Sequence, residues 1–193
     1  MIYVIEIRFP VTSGEVPSSP EKQMSNLLTL VHRAAKGRKF AIGLPEYKDG
    51  EHRALGQFLQ IFSFESAEMI KAIMSDHRLS MFIMDWCETS PVRAVSDADI
   101  TSWVAYRKSQ LAKKRSASHQ RRAARRKVEG KRTEDRPFVE SIRSQRSMEH
   151  LPRFSHYSQG RDMEVPLFIE ASKSVCGANP KFDSFGLALF GSC

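Results

Sequence analysis

Short apolar segments alternate with helical patterns along residues 1–93, and the order of these segments restricts the possible folds more than any other feature. Four stretches are short, rich in branched or aromatic side chains and typical of strands: Ile2 to Phe9, Lys39 to Leu44, Phe58 to Phe64 and Met81 to Trp86. Pro45 stops the second of them, and residues 46–54 after it are polar and turn-like. The sequence therefore predicts four strands in this half of the chain.

Two helices are predicted between these strands. Ser19 and Pro20 give the first helix a capping hydroxyl and a proline at its first position, and Gly37 is predicted to end it. Its apolar face follows the helical period: Met24, Leu27, Leu28, Val31 and Ala35. A second helix begins at Ser66. The order strand, helix, strand, strand, helix, strand predicts an α+β fold in which residues 1–93 form a ferredoxin-like domain, an arrangement that by itself assigns no function.

Residues 94–193 are predicted to form a second domain, built from a basic helix and short strands. We interpret residues 91–100 as the link into it. Strand-like segments follow the basic stretch: Pro137 to Val139, Arg153 to Ser158, Pro166 to Ile169 and Phe185 to Leu189. Apolar residues are few in this half, so we expect it to pack against the first half.

The positive charge of the chain is concentrated in residues 107–132. This segment holds 12 of the 30 Lys and Arg residues and one acid, Glu129, which leaves 18 basic and 21 acidic residues elsewhere. Within it, four arginines of the run R-R-A-A-R-R, residues 121–126, span roughly 140° of a helix surface. A cationic stripe of this kind favours a polyphosphate groove, so we predict a nucleic-acid-binding helix over about residues 112–128.

Other readings of the basic segment remain open. It could be a solvated or disordered basic tail, although it is internal and its arginines are phased. Membrane binding is disfavoured because the helix has no apolar face to insert, and no apolar run approaches about 20 residues. We find no convincing helix-turn-helix pair around the basic segment, so the sequence does not favour binding to double-stranded DNA.

Few residue types point to a cofactor or a compartment. Three cysteines, none in a C-x-x-C pair, predict a reducing cytoplasm and no zinc site, and nothing argues for a small-molecule cofactor. The N-terminal segment lacks the features of a signal peptide. One histidine, His32, lies beside the apolar face near the end of the first helix, where it could simply be a half-exposed structural residue. The other five show no metal-ligand spacing: His52, His77, His119, His150 and His156.

Five landmarks along the chain resemble one known family. They are Met24-Ser25 followed by His32, the segment I-G-L-P at residues 42–45, Gln110, the run at residues 121–126, and a closing L-F-I…F-G-L between Leu167 and Leu187. In this order they resemble the type I-F CRISPR repeat-processing endoribonucleases, the f-subtype of the Cas-six family, also called Csy-four. The likeness covers nearly the full length.

The resemblance implies a metal-independent endoribonuclease. Such an enzyme binds the repeat hairpin of precursor CRISPR RNA, cuts at the 3′ base of its stem by attack of a ribose 2′-hydroxyl, and stays bound as a subunit of the type I-F effector complex. The catalytic residues that match are His32 and Ser158, and a second register would place Ser144 in the serine's position. The implied RNA-binding residues are Arg107, Lys108, Gln110, Lys114, Arg115, Arg121, Arg122, Arg125 and Arg126.

The chain departs from the family pattern at three places. The family's tyrosine, which helps set the active histidine, aligns with Phe185. The arginine of the base-reading Arg–Gln pair aligns with Lys108, and lysine cannot make a bidentate contact with guanine. The aromatic residue that stacks on the stem aligns near Val165, so Phe154 or Tyr157 would have to replace it. A hairpin-binding scaffold with little or no cleavage is therefore the alternative function.

Overall fold

The computed structural model describes residues 1–10, 19–35, 37–96, 104–109, 121, 125, 150–158, 162–173 and 182–187, with the backbone alone at 157, 158, 172 and 173. The helices and strands in these ranges, in chain order, are β1 (Ile2–Arg8), α1 (Pro20–Ala35), β2 (Ala41–Gly43), β3 (Phe58–Ser63), α2 (Ala67–Met74), α3 (His77–Trp86), β4 (Glu88–Thr89), β5 (Arg93–Val95), β6 (Val104–Lys108), β7 (Arg153–Ser158) and β8 (Met163–Lys173).

An antiparallel sheet forms the first half of the fold. Its strands lie in the order β2-β3-β1-β4, and β5 also pairs with β1. The β1–β3 register brings Tyr3 opposite Ser63 and Arg8 opposite Phe58. The elements follow the predicted order strand, helix, strand, strand, helix as far as α2, and a further helix and two short strands come after it; the α+β class is confirmed. The predicted boundary between residues 93 and 94 falls within β5, and the division into two domains stays a prediction.

The first two helices begin where the sequence predicts. The hydroxyl of Ser19 accepts a hydrogen bond from the backbone N–H of Lys22 at 3.4 Å, and that of Ser66 accepts one from Met69 at 3.3 Å. The apolar face of α1 is buried against the sheet, and its most enclosed side chains are Met24, Leu27, Leu28 and Val31. The capping residue and the apolar period of the sequence therefore predicted α1 correctly.

The predicted strand from Met81 to Trp86 is wrong, because this segment is the second half of helix α3. Asp76 caps the helix by accepting hydrogen bonds from the backbone N–H groups of Arg78 and Leu79. Leu79 and Ile83, four residues apart, are buried, whereas Met84 is 77% exposed. Burial therefore follows the helical period. The short β4 and β5 take the fourth-strand position beside β1.

A second antiparallel sheet has the order β6-β8-β7. The predicted segments at residues 153–158 and 166–169 lie in β7 and within the longer β8. The sequence did not predict β6, and β5 lies in the segment that was interpreted as a link. The segment at residues 137–139 and most of the basic helix lie outside the described residues.

One hydrophobic core joins the two sheets. Tyr106 of β6, Phe154 of β7 and Ile169 of β8 pack in the same cluster as the apolar face of α1. The hydroxyl of buried Tyr106 donates to the carbonyl oxygen of Leu44 at 2.8 Å, so its polar end is satisfied inside the core. Burial raises the pKa of this phenol. The expected packing of the second half against the first is confirmed.

A tight turn at residues 183–187 attaches the C-terminal segment to β2. The carbonyl oxygen of Gly186 accepts a hydrogen bond from the backbone N–H of Ile42 at 3.1 Å. Gly186 has a φ of +73°, and a Cβ at this position would lie 2.7 Å from Cε2 of Phe40. The predicted strand beginning at Phe185 is therefore wrong over residues 185–187, where the chain turns and approaches the core too closely for any side chain.

Replacing Gly186 with alanine should destabilise the protein by about 2–4 kcal/mol, because the left-handed backbone and the clash with Phe40 both oppose a Cβ. Gly37 is a matched control, since its φ is +82° but a Cβ there would meet no atom within 4 Å. Gly37→Ala should therefore cost only about 1–2 kcal/mol. Urea unfolding of both variants measures the difference, and equal losses would contradict the close approach at Gly186.

Candidate active site

His32 lies in the last turn of α1 and is held against the C-terminal turn. Its Nδ1 is 2.6 Å from the carbonyl oxygen of Ser184. Its ring stacks on Phe185 with centroids 4.0 Å apart and an interplanar angle of 14°. A carbonyl oxygen only accepts hydrogen bonds, so Nδ1 carries a proton in this arrangement. The stacking on Phe185 thus fixes the orientation of the ring plane, and the hydrogen bond to Ser184 fixes the tautomer of the neutral imidazole.

The carboxylate of Asp183 shapes the turn that holds His32. Its Oδ1 accepts hydrogen bonds from the backbone N–H groups of Phe185, at 2.8 Å, and Leu187, at 3.1 Å. The backbone N–H of Gly186 donates to the carbonyl oxygen of Asp183 at 3.0 Å. These bonds fold residues 183–187 back on themselves, which places Ser184 and Phe185 beside the end of α1.

Lys108 brings a positive charge from β6 to the same place. Its Nζ lies 2.7 Å from Oδ2 of Asp183 and 4.6 Å from the centroid of the Phe185 ring. The ion pair and the cation–π contact hold the ammonium group next to the ring on which His32 stacks. Lys108, which the sequence predicted to bind RNA, is thus part of the histidine cluster.

His156 is a second imidazole in the cluster, and nothing in the sequence had singled it out. It lies in β7, with its ring centroid 5.3 Å from that of His32 and 4.9 Å from that of Phe185, each at nearly a right angle. Burial, followed by the positive charges of His32, Arg33 and Lys108, lowers the pKa of His156 from its ordinary value of 6.5.

A hydrogen bond connects α1, which carries His32, with β7, which carries His156. The hydroxyl of Ser25 donates to the carbonyl oxygen of Glu21 at 2.8 Å and accepts from the backbone N–H of Ser155 at 3.3 Å. Ser158 ends β7 two residues beyond His156, the separation of positions on one face of a strand. Only its backbone is described, and Ser144 lies outside the described residues.

The predicted RNA-binding residues are only partly described. Arg107 and Lys108 are consecutive residues of β6 and are half-buried, whereas Arg121 and Arg125 are exposed and helical. Five others lie outside the described residues: Gln110, Lys114, Arg115, Arg122 and Arg126. The structure thus places Lys108 against Phe185, the ring on which His32 stacks, and the RNA-binding roles of all nine residues stay predictions.

Phe154 cannot replace the family's stacking aromatic residue. Its side chain is 1% exposed and packs edge-on against Phe185, with ring centroids 5.5 Å apart. It belongs to the core and is out of reach of a base. Val165, where the family's aromatic residue aligns, pairs with His156 across the β7–β8 ladder. Tyr157 remains the predicted alternative, and its side chain is not described.

Metal-binding clusters and membrane-spanning helices are both absent from the part of the chain that the structure describes. Among these residues, no three His, Cys, Asp or Glu side chains cluster in a way that could hold a metal ion. None of the helices described is both long and apolar enough to cross a membrane.

Burial raises the pKa of the Cys87 thiol to about 12, which disfavours a thiolate nucleophile at that residue.

Comparison with solved structures gives little information about this chain. A crystal structure of a protein provisionally named chlorite dismutase matches with a TM-score of 0.30 and 11% sequence identity, covering 87% of this chain and 77% of that one. A TM-score this low carries no conclusion about fold or function. No curated protein matches the chain.

Comparison with family models is informative. The model described as CRISPR-associated protein (Cas_Csy4) matches residues 13–192, which is nearly the whole chain. The match includes α1 with His32, β6 with Lys108, β7 with His156 and the turn at residues 183–187. The chain therefore belongs to the Csy4 family of CRISPR-associated proteins, RNA-binding nucleases with a role in processing CRISPR repeat RNA.

Proposed function

We propose that this protein cuts the repeat hairpin of precursor CRISPR RNA without a metal ion, and that His32 takes the proton of the attacking 2′-hydroxyl. The observation that carries this proposal is the 2.6 Å contact between Nδ1 of His32 and the carbonyl oxygen of Ser184. A neutral imidazole has one N–H and one lone pair, so a proton on Nδ1 leaves the lone pair on Nε2. That lone pair is what a general base needs.

The proposed reaction balances without a cofactor. The 2′-oxygen forms a bond to phosphorus and gives its proton to Nε2 of His32. The bond from phosphorus to the 5′-oxygen of the next nucleotide breaks, which leaves a 2′,3′-cyclic phosphate and a 5′-oxygen that takes up one proton to become a 5′-hydroxyl. The histidine suits this step because the unperturbed pKa of an imidazole lies near neutral pH.

Positive charge around the two imidazoles supports the binding of a phosphodiester. Lys108 lies against Phe185, and Arg33 follows His32 at the end of α1. Both contribute to the positive potential that lowers the pKa of His156. In our proposal they offset the negative charge that builds on the phosphate in the transition state. Because Asp183 pairs with Lys108, this charge is partly neutralised before RNA binds.

Ser158 is our candidate for holding the 2′-hydroxyl in line with the phosphorus. The support is its place in β7, two residues from His156, in a strand bonded to α1 through Ser25. A hydroxyl at that point could accept or donate a hydrogen bond to the ribose and orient it for attack. Ser144 stays the alternative.

The basic helix is proposed to bind the stem of the hairpin. Arg121 and Arg125 are four residues apart, helical and exposed, as one stripe of the helix requires. Arginines on a slim helix can contact the phosphates that line the groove of an A-form stem. Tight binding after cleavage would keep the protein on its product as a subunit of the type I-F effector complex.

One observation favours a second function, a hairpin-binding scaffold that cuts little or not at all. Phe185 stands where the family resemblance aligns a tyrosine, and its ring is buried and stacked on His32, so residue 185 offers the imidazole no phenol hydroxyl. In our account the carbonyl oxygen of Ser184 orients His32 instead. The two functions differ in cleavage and share hairpin binding.

His32→Ala should reduce hairpin cleavage by about 10²–10⁴-fold, because the lone pair that takes the 2′-hydroxyl proton is removed. The measurement is single-turnover cleavage of a type I-F repeat hairpin in EDTA. A substrate with one 2′-deoxy sugar at the foot of the stem should not be cut at all. His52→Ala is the control, since His52 is exposed in a turn and takes no part in the contacts that hold His32.

The same assay distinguishes the serines and the two functions. Ser158→Ala should reduce cleavage, and a loss confined to Ser144→Ala would transfer the positioning role to Ser144. Wild-type protein that binds the hairpin tightly but does not cut it would establish the scaffold. Undiminished cleavage by His32→Ala would disprove the role given to His32.

The neutral form of His32 should carry its proton on Nδ1, whereas His52 should show the Nε2–H tautomer that a free imidazole prefers. Nitrogen-15 spectra of the histidine side chains distinguish the two tautomers. Recorded over a range of pH, the same spectra should show that the pKa of His156 lies below the ordinary imidazole value of 6.5. Lys108→Met should raise the pKa of His156, because it removes one of the charges that oppose its protonation. A His32 ring protonated on Nε2 alone would contradict the contact with Ser184.

Replacing Arg122 and Arg125 together with glutamine should weaken hairpin binding and flatten its salt dependence. Each lost phosphate contact should reduce the slope of log K against log salt by roughly 0.7–0.9. Filter binding over a range of salt concentrations measures this. Arg53 and Arg78 form a matched control pair, since both are exposed and lie in the first half of the chain. An unchanged affinity and slope would remove the basic helix from the binding surface.

A further inference from the structure

We propose that His156 is a second catalytic residue, which donates a proton to the 5′-oxygen of the leaving nucleotide as its bond to phosphorus breaks. The proposal rests on the cleavage reaction proposed above and supplies that reaction with a general acid. It assigns chemistry to a side chain that neither the sequence pattern nor the family resemblance had identified.

The reaction needs a second proton carrier. In an in-line displacement the attacking and leaving oxygens lie on opposite sides of phosphorus. His32 has one nitrogen free for substrate, because Nδ1 is bonded to the carbonyl oxygen of Ser184. A single nitrogen that takes the proton from the 2′-oxygen is poorly placed to deliver one to the opposite side. An unprotonated 5′-oxygen is a poor leaving group, so a donor there lowers the barrier.

His156 has the position that such a donor requires. Its ring lies 5.3 Å from that of His32 between centroids, and both rings contact Phe185. The two histidines come from different elements, α1 and β7, which Ser25 and Ser155 hold together. Two imidazoles on separate rigid elements can therefore address two different oxygens of one phosphate.

The nitrogens of His156 are in different environments. Nδ1 is buried and has no hydrogen-bond partner among the described residues. A buried polar atom without a partner is uncommon, and its cost is often retained where it serves a function. Because Nδ1 is enclosed, Nε2 is the nitrogen that can exchange a proton with a bound substrate.

The surroundings of His156 make its protonated form a stronger acid than an ordinary imidazolium. Burial lowers its pKa, and so do the charges of Arg33 on α1 and Lys108 on β6, together with that of His32 whenever His32 is itself protonated. Asp183 in the turn is paired with Lys108, and β8 places the uncharged Val165 opposite His156. A bound phosphodiester adds negative charge and favours the protonated form. The acid is active when protonated, so its contribution should fall as the pH rises through its pKa.

A change of leaving atom tests the proposal. We would compare the repeat hairpin with an otherwise identical hairpin in which sulfur replaces the 5′-oxygen at the cleaved phosphate. A thiolate leaves without protonation, whereas an alkoxide does not, so only the oxygen substrate needs an acid. Single-turnover rates at saturating protein separate the chemical step from binding. His156→Phe keeps an aromatic ring against Phe185, and His156→Gln is a second variant if phenylalanine disturbs folding.

The expected result is a selective rescue. His156→Phe should cut the oxygen substrate about 10²-fold or more slowly than wild type, yet cut the sulfur substrate within about tenfold of wild type. His32→Ala should be slow on both, because the 2′-hydroxyl still has to lose its proton. The wild-type rate on the oxygen substrate should decline on the alkaline side, and this decline should be absent with the sulfur substrate.

Three outcomes would overturn the proposal. Equal losses on both substrates would make His156 a positioning residue for His32. Rescue of His32→Ala by sulfur would exchange the two roles. Full activity of both His156 variants on the oxygen substrate would exclude His156 from the chemistry. Undiminished cleavage by His32→Ala would instead disprove the function proposed above, so the failure of each proposal has its own signature.

Discussion

The carboxylate of Asp183 is the interaction on which the site depends most. One of its oxygens accepts two backbone hydrogen bonds that close the turn, and the other pairs with Lys108. The closed turn directs the carbonyl oxygen of Ser184 at His32 and presents the ring of Phe185 beneath it. A single acid thus joins β6, the C-terminal turn and the end of α1. The side chains of Lys108 and Asp183 are 34% and 15% exposed, so salt screens their ion pair less than it screens a fully exposed one.

The site is continuous with the hydrophobic core. Phe185 and Leu187 are 6% and 1% exposed and belong to the same cluster as the apolar face of α1. Gly186 between them fits against Phe40 only because it has no side chain. His32 and His156 are carried by a helix and a strand that pack on this core, so their spacing is set by the packing that stabilises the fold. Damage to the core should therefore change the site geometry as well as stability.

Local signals in the sequence predicted most of the first sheet and its helices. Ser19 and the apolar face of α1 gave that helix correctly, and His32 came from the family resemblance. The short apolar run from Met81 to Trp86 is compatible with a strand and with a helix. The structure shows a helix, which Asp76 caps and in which Leu79 is buried. His156 had no local signal, because its partners are distant in sequence and meet only in the folded chain. The turn at Asp183 was missed for the same reason, since Lys108 and Ile42 both hold it from elsewhere.

Phe185, which the family resemblance aligns with a tyrosine, contacts both His32 and His156 with its ring. A phenylalanine can stack on His32 but can neither donate nor accept a hydrogen bond, so the imidazole needs another polar anchor. The carbonyl oxygen of Ser184 supplies one at 2.6 Å and fixes the tautomer through the backbone. Any proton that a phenol hydroxyl would have handled needs a different carrier, and His156 is the titratable group packed edge-on against Phe185. In this arrangement Phe185 contributes a packing surface for both imidazoles. The carbonyl oxygen of Ser184 supplies the hydrogen bond to His32, and His156 in β7 supplies the second titratable group.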